Sequence, residues 1–91
     1  MELEEKICEF FNVPIECLRN KSKKKEHCIA RSYTIFFMHT FKNMSHSAVA
    51  KEYGMNLRNA RKNTDKIKYL ITIDTYHKNI YRKLLTVLQF S

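Results

Sequence analysis

Leu3, Ile7, Phe10 and Phe11 recur at the three- and four-residue spacing of a helix, and Asn12-Val13-Pro14 then stops it, because proline disfavours helical geometry in the residue before it. A first helix is predicted over about residues 2–11. Pro14-Ile15-Glu16-Cys17-Leu18 has the makings of a short second helix with proline in its first turn. Residues 19–25 have no apolar face and are expected to form a loop, a flexible cationic finger. From about residue 24 to Phe41, the residues Ile29, Tyr33, Phe36, Phe37 and Phe41 share one broad face, with Ala30 and Thr40 beside it. That stripe predicts a long central helix as the spine of the core.

Lys42-Asn43-Met44 is a polar break, after which Ser45 is suited to cap a helix of about two turns carrying Ala48, Val49, Glu52 and Tyr53. The pattern breaks again at Gly54-Met55, and Asn56 can cap a further helix. In it Ala60, Thr64, Ile67 and Leu57 are expected to face inward, and Arg58, Asn59, Arg61 and Lys62 outward. Asp74 can cap a terminal helix whose stripe is Tyr76, Ile80, Tyr81, Leu84, Leu85 and Leu88. Residues 45–68 thus have the layout of a helix-turn-helix, with the chain's only glycine between the two helices, where a sharp turn uses positive φ.

Composition narrows this picture to an all-α fold in one domain over 1–91. Ninety-one residues suit a single core, and 44% hydrophobic residues with six Phe and five Tyr exclude a disordered chain. One Gly and one Pro are too few turn-formers for a many-stranded sandwich or barrel. No apolar run approaches the roughly 20 residues of a membrane span, and the N-terminus is acidic where a secretory signal would be basic. These features lead us to expect a cytoplasmic protein. Cys8, Cys17 and Cys28 are odd in number, lie in apolar surroundings and lack a C-x-x-C pairing, which favours reduced packing residues over metal ligands.

The net charge of +8 is unevenly spread, since five of the nine acidic residues fall in the first sixteen positions. The remainder is strongly basic, which points to a polyanionic partner. One cluster is Arg19-Asn20-Lys21-Ser22-Lys23-Lys24-Lys25 with Arg31 beyond it, and the other is Lys51, Arg58, Arg61, Lys62, Lys66 and Lys68. Because the clusters flank a helix-turn-helix pattern, double-stranded DNA is the expected partner. Catalysis lacks support, as there is no Gly-rich phosphate loop, no H-E-x-x-H and no helical pair of carboxylates placed for acid–base work. Neither a nucleotide nor any other cofactor is expected. His27 and Cys28 are adjacent, so on a helix they diverge by about 100° and make a poor metal pair. The aromatic set Tyr33, Phe36, Phe37, Phe41 and Tyr81 is predicted to pack the core and not to form a base-stacking platform.

In the run from Phe11 to Leu70 an apolar helix is followed by Val13-Pro14-Ile15 and Leu18, a basic loop, Ile29-Ala30-Arg31 opening a long helix, Ser45 through Val49, Tyr53-Gly54 and Lys66-Ile67. This order resembles the C-terminal DNA-binding domain of the bacterial replication initiator DnaA, a helical module related in fold to the Trp repressor. The resemblance covers about two-thirds of the chain, and the spacing from Arg31 to Gly54 agrees without a gap. It implies that the basic loop enters a minor groove, with Lys23 at the position of the family's arginine and Lys21 and Lys25 beside it as phosphate contacts, Lys24 lying in the same run. Arg31 matches an arginine the family uses near the start of the long helix, while Ser32 and His39 stand where the family has a glutamine and a lysine.

The family signature, glycine and arginine followed by Asp-His-Thr-Thr-Val, reads here Gly54-Met55-Asn56-Leu57-Arg58-Asn59-Ala60, one residue shorter. Only Asn56 and Ala60 substitute for family residues. Read from the residues themselves, Arg58 suits guanine O6 and N7, and Asn59 suits adenine N6 and N7. Lys21, Lys23, Lys24, Lys25, Arg31, Ser45, Asn56, Leu57, Arg58, Asn59, Arg61 and Lys62 therefore form the expected DNA-binding set, with Arg31 and Ser45 fixing register. The absence of a P-loop leads us to expect a free-standing, nucleoid-associated module of a bacterium or phage, in replication initiation or its regulation, with a replication or regulatory protein as a further partner. The alternative is a protein-interaction module or transcriptional regulator that keeps the fold without initiator-site recognition.

Overall fold

Leu3, Ile7 and Cys8 are buried along one face of α1 (Glu2–Phe11), as the spacing predicts, and Glu4 is buried with them. The computed structural model describes residues 2–20 and 22–88. After α1 come a single turn of 3-10 helix (Ile15–Leu18), α2 (Lys25–Thr40), α3 (His46–Glu52), α4 (Leu57–Ile73) and α5 (Thr75–Leu88). The fold is all-helical, and no helix among the described residues is long and apolar enough to cross a membrane.

Every residue of α2 from Ser32 to Met38 is buried, on all sides and not along one stripe. The cause is its neighbourhood: α1, the 3-10 turn, α3 and α4 all pack against it, so even polar Thr34 is enclosed and turns its hydroxyl back to the Ala30 carbonyl at 2.8 Å. Tyr33, Phe36 and Phe37 are core residues, with Phe41 and Tyr81 half-buried against them. Phe37 stacks on both Phe41 and Tyr81, so the aromatic set packs the core.

Among the described residues Gly54 (φ 66°) shares positive φ with two others, Asn12 (φ 56°) and Asn43 (φ 59°). Each follows a helix, and asparagine is the side chain that best tolerates this region after glycine. Beyond Asn12 the Val13 N–H returns to the Cys8 carbonyl, and beyond Gly54 the Met55 N–H returns to Ala50, both at 2.9 Å. These bonds satisfy the last carbonyls of α1 and α3 and set the direction in which the chain leaves.

Two inward assignments are corrected. Leu57 is 37% exposed, because as the first residue of α4 it precedes the turn that Ala60, Thr64 and Ile67 bury. Tyr76 is 66% exposed, and its neighbour His77 takes the buried place, bonded through Nδ1 to the Tyr33 hydroxyl at 2.8 Å. Ile80, Leu84 and Leu88 bury the rest of α5, with Tyr81 and Leu85 half-buried. The second helix also runs five residues past residue 68, to Ile73, leaving Asp74 alone between α4 and α5. Its Oδ1 accepts from the Tyr76 N–H at 2.9 Å, so it does start the terminal helix.

Candidate nucleic-acid interface

The α3–α4 connection is fixed by local chemistry at each end. Ser45 Oγ accepts from the Ala48 N–H at 3.1 Å and opens α3, and Asn56 Oδ1 accepts from the Asn59 N–H at 2.8 Å and opens α4. Each removes one of the unpaired amides that a helix start leaves. Gly54 has open space where a Cβ would sit, so its positive φ and not crowding is what the turn asks of it.

Ala60, Thr64 and Ile67 bury one face of α4, which turns Arg58, Lys62 and Lys66 outward and sets Leu57, Asn59 and Arg61 on the flanks, all exposed. Besides the apolar packing between the two helices, a polar contact ties α4 to α2: the Ser32 hydroxyl donates to Asn63 Oδ1 at 2.6 Å while Asn63 Nδ2 donates to the Asn59 carbonyl at 2.8 Å. Ser32, matched to a glutamine of the initiator family, thus positions the helix from within.

Arg31, expected in the DNA-binding set to fix register, has its donors engaged within the chain. Its guanidinium is half-buried and donates to the Cys17 carbonyl (2.8 Å and 3.2 Å), the Asn20 carbonyl (3.0 Å) and the Ser22 carbonyl (3.1 Å). Its donors close the basic segment onto the start of α2, a role a forked guanidinium fills and an ammonium does not. His27 Nδ1 meets Ser22 Oγ at 2.8 Å, and Ser22 N–H donates to Asn20 Oδ1, so several bonds brace the segment expected to be a free finger. Lys23, Lys24 and Lys25 are exposed on it. Lys21 lies outside the described residues.

Between this segment and α4 runs a cleft of 620 Å³. Asn20, Ser22, Lys23 and Arg31 line one side, and Gly54, Met55, Asn56, Asn59, Asn63 and Lys66 the other. Of the expected set, Lys23, Arg31, Asn56 and Asn59 meet here. Arg58, Arg61 and Lys62 stand outside the cleft on α4, and Ser45 sits at the far end of α3. Asn63 and Lys66 complete the α4 wall with Asn59 at steps of four and three; that helical spacing was readable, though only the cleft shows what it faces.

Arg19, assigned by its sequence position to the basic cluster, lines the same cleft but is engaged by acidic partners. It donates to Glu4 at 2.8 Å and to Glu52, and its guanidinium lies 4.9 Å over the Tyr53 ring. The Tyr53 hydroxyl also donates to Glu4, and burial, followed by that carboxylate, pushes the phenol well above its usual range. This network ties α1 to the end of α3 and the floor of the cleft. Behind α4, His39 and His46 stack at 3.7 Å, and His46 Nε2 meets Thr64 Oγ1 at 3.2 Å. Burial, then His39 and Arg61, lower the His46 pKa.

Cys8 and Cys17 are buried as free thiols and Cys28 is half-buried, with burial and the neighbouring Cys17 pushing Cys8 up to about 12. No three His, Cys, Asp or Glu side chains converge on a common point among the described residues. No protein-family model and no curated protein matches this chain.

Proposed function

We propose that the protein binds double-stranded DNA in a sequence-dependent way, as a module acting in replication initiation or its regulation. The observation that carries this reading is the first two turns of α4, where a capped and braced helix start presents Arg58, Asn59, Arg61 and Lys62 to solvent while Lys23 faces it across the cleft. A helix so exposed is of a size to enter a major groove, and the lysines of the 22–25 segment then reach phosphates or the adjoining minor groove. Arg58 and Asn59 read bases, and Arg61, Lys62 and the segment lysines hold the backbone. Arg31 and Ser45 set the geometry of these groups from behind. The resemblance to the initiator module supports the same docking, and the altered 54–60 signature gives this chain its own base preference. Fluorescence anisotropy of a labelled duplex bearing the initiator-type nonameric site, compared with a scrambled duplex across a salt series, tests the reading. Affinity that falls steeply with salt while one duplex stays preferred supports it, and absence of binding to any duplex at low salt refutes it.

A further inference from the structure

The outward stripe of α4 changes character along its length. Arg58, Lys62 and Lys66 are followed at the same helical spacing by Tyr69 and Ile73, and Tyr76 stands just across the corner at Asp74. Tyr69 is 63%, Ile73 56% and Tyr76 66% exposed, and these are three of the five large apolar side chains exposed among the described residues. Tyr76 is also oriented, its ring held at 82° to that of buried His77, which Tyr33 fixes from the core. Tyr69 and Ile73 lie one turn apart on the outward side of α4, and Tyr76 follows three residues later, so three large apolar side chains are exposed within eight residues about this corner.

Charge and geometry decide what covers it. The chain carries +8, and Lys66 and Lys68 on α4 with Lys83 two turns along α5 from Tyr76 outnumber the single carboxylate at the corner, Asp74, so a second copy would bring like charges together. A ligand with flat apolar faces and a negative backbone satisfies both features, and unpaired nucleotides have both. From Arg58 to Ile73 the stripe runs about 22 Å along the helix, whereas a major groove is about 12 Å wide. With only the N-terminal turns contacting base edges in the groove, the tyrosine half is left outside it, clear of the paired bases.

We propose that Tyr69, Ile73 and Tyr76 stack unpaired bases next to the duplex held by the first half of α4, so that the preferred ligand is a duplex with a single-stranded extension. The proposal rests on the duplex reading above. Its test is anisotropy with one labelled duplex, either blunt or extended by six thymidines at the 3′ or 5′ end. One of the extended duplexes should bind about 5- to 160-fold more tightly than the blunt one, the range of one stacked base. Tyr69→Ala/Tyr76→Ala should abolish that preference and leave blunt-duplex affinity unchanged, while Tyr69→Phe/Tyr76→Phe keeps it. The chain has no Trp, and the extended duplex should also quench tyrosine fluorescence more than the blunt one. Equal binding of blunt and extended duplexes overturns the stacking proposal while leaving the duplex reading standing, and no binding to either overturns both. Self-association in sedimentation that the double alanine variant abolishes would also overturn it, assigning the corner to a second copy.

Discussion

Arg31 donates through Nη2 at 2.8 Å to the carbonyl of Cys17, fourteen residues earlier, and the same guanidinium holds the carbonyls of Asn20 and Ser22. A side chain with its donors so engaged acts on a ligand through the segment it holds. Arg31→Lys keeps the charge and loses the fork, so it should cost about 2 kcal/mol in urea unfolding and lower duplex affinity together with stability. Were Arg31 instead a direct phosphate contact, the lysine variant would bind nearly as well as the parent chain.

Arg58 and Asn59 are expected to specify and Lys62 to anchor. Arg58→Ala or Asn59→Ala should reduce discrimination between duplexes by about 1–3 kcal/mol, whereas Lys62→Ala should weaken all duplexes alike and reduce the salt slope by about one. Competition binding with a randomised duplex pool separates the two behaviours. If all three variants lowered affinity uniformly, α4 would hold backbone only.

Arg19 bridges Glu4, whose side chain is 4% exposed, and Glu52, whose side chain is 47% exposed. Arg19→Ala leaves the Glu4 carboxylate enclosed with only the Tyr53 hydroxyl, and should cost about 2 kcal/mol, less than a fully buried pair because Arg19 is itself partly in water. Glu52→Gln removes only the exposed arm and should cost under about 0.5 kcal/mol. Chemical denaturation of the two variants checks the order.

The His46 pKa is lowered from 6.5 in the folded chain by burial, His39 and Arg61, so the unfolded state takes up its proton first as pH falls. Stability from this group is complete above about pH 6.5 and declines as the pH drops from there toward the lowered folded value. The midpoint of urea unfolding, followed from pH 7.5 to 5, should fall, and His46→Gln should flatten that decline. A variant with an unchanged slope would show that other groups govern it.

Much of the fold was legible because its signals are local. The spacing of Leu3, Ile7 and Phe11 marks α1, and the caps at Ser45, Asn56 and Asp74 act within three residues of themselves. What the sequence concealed depended on who covers whom. Glu4 sits at a core-facing step between Leu3 and Ile7, yet only Arg19 and Tyr53, brought in from distant segments, make its burial tolerable. The same holds at the start of α5, where the Tyr33 hydroxyl draws in His77 and leaves Tyr76 in water. At the candidate interface the exposure of Arg58, Arg61 and Lys62 followed from helical phase, but the role of Arg31 did not, since its partners are backbone carbonyls that no side-chain pattern announces.

The central claim is that the first half of α4 and the segment at 22–25 meet the duplex together. The most direct measurement is a titration of the 15N-labelled chain with a short duplex, followed by amide chemical shifts. The largest changes should fall at residues 54–62 and 22–25, with the outer face of α1 nearly silent. Changes centred on α1 or on Lys78, Arg82 and Lys83 of α5, with α4 unmoved, would contradict it.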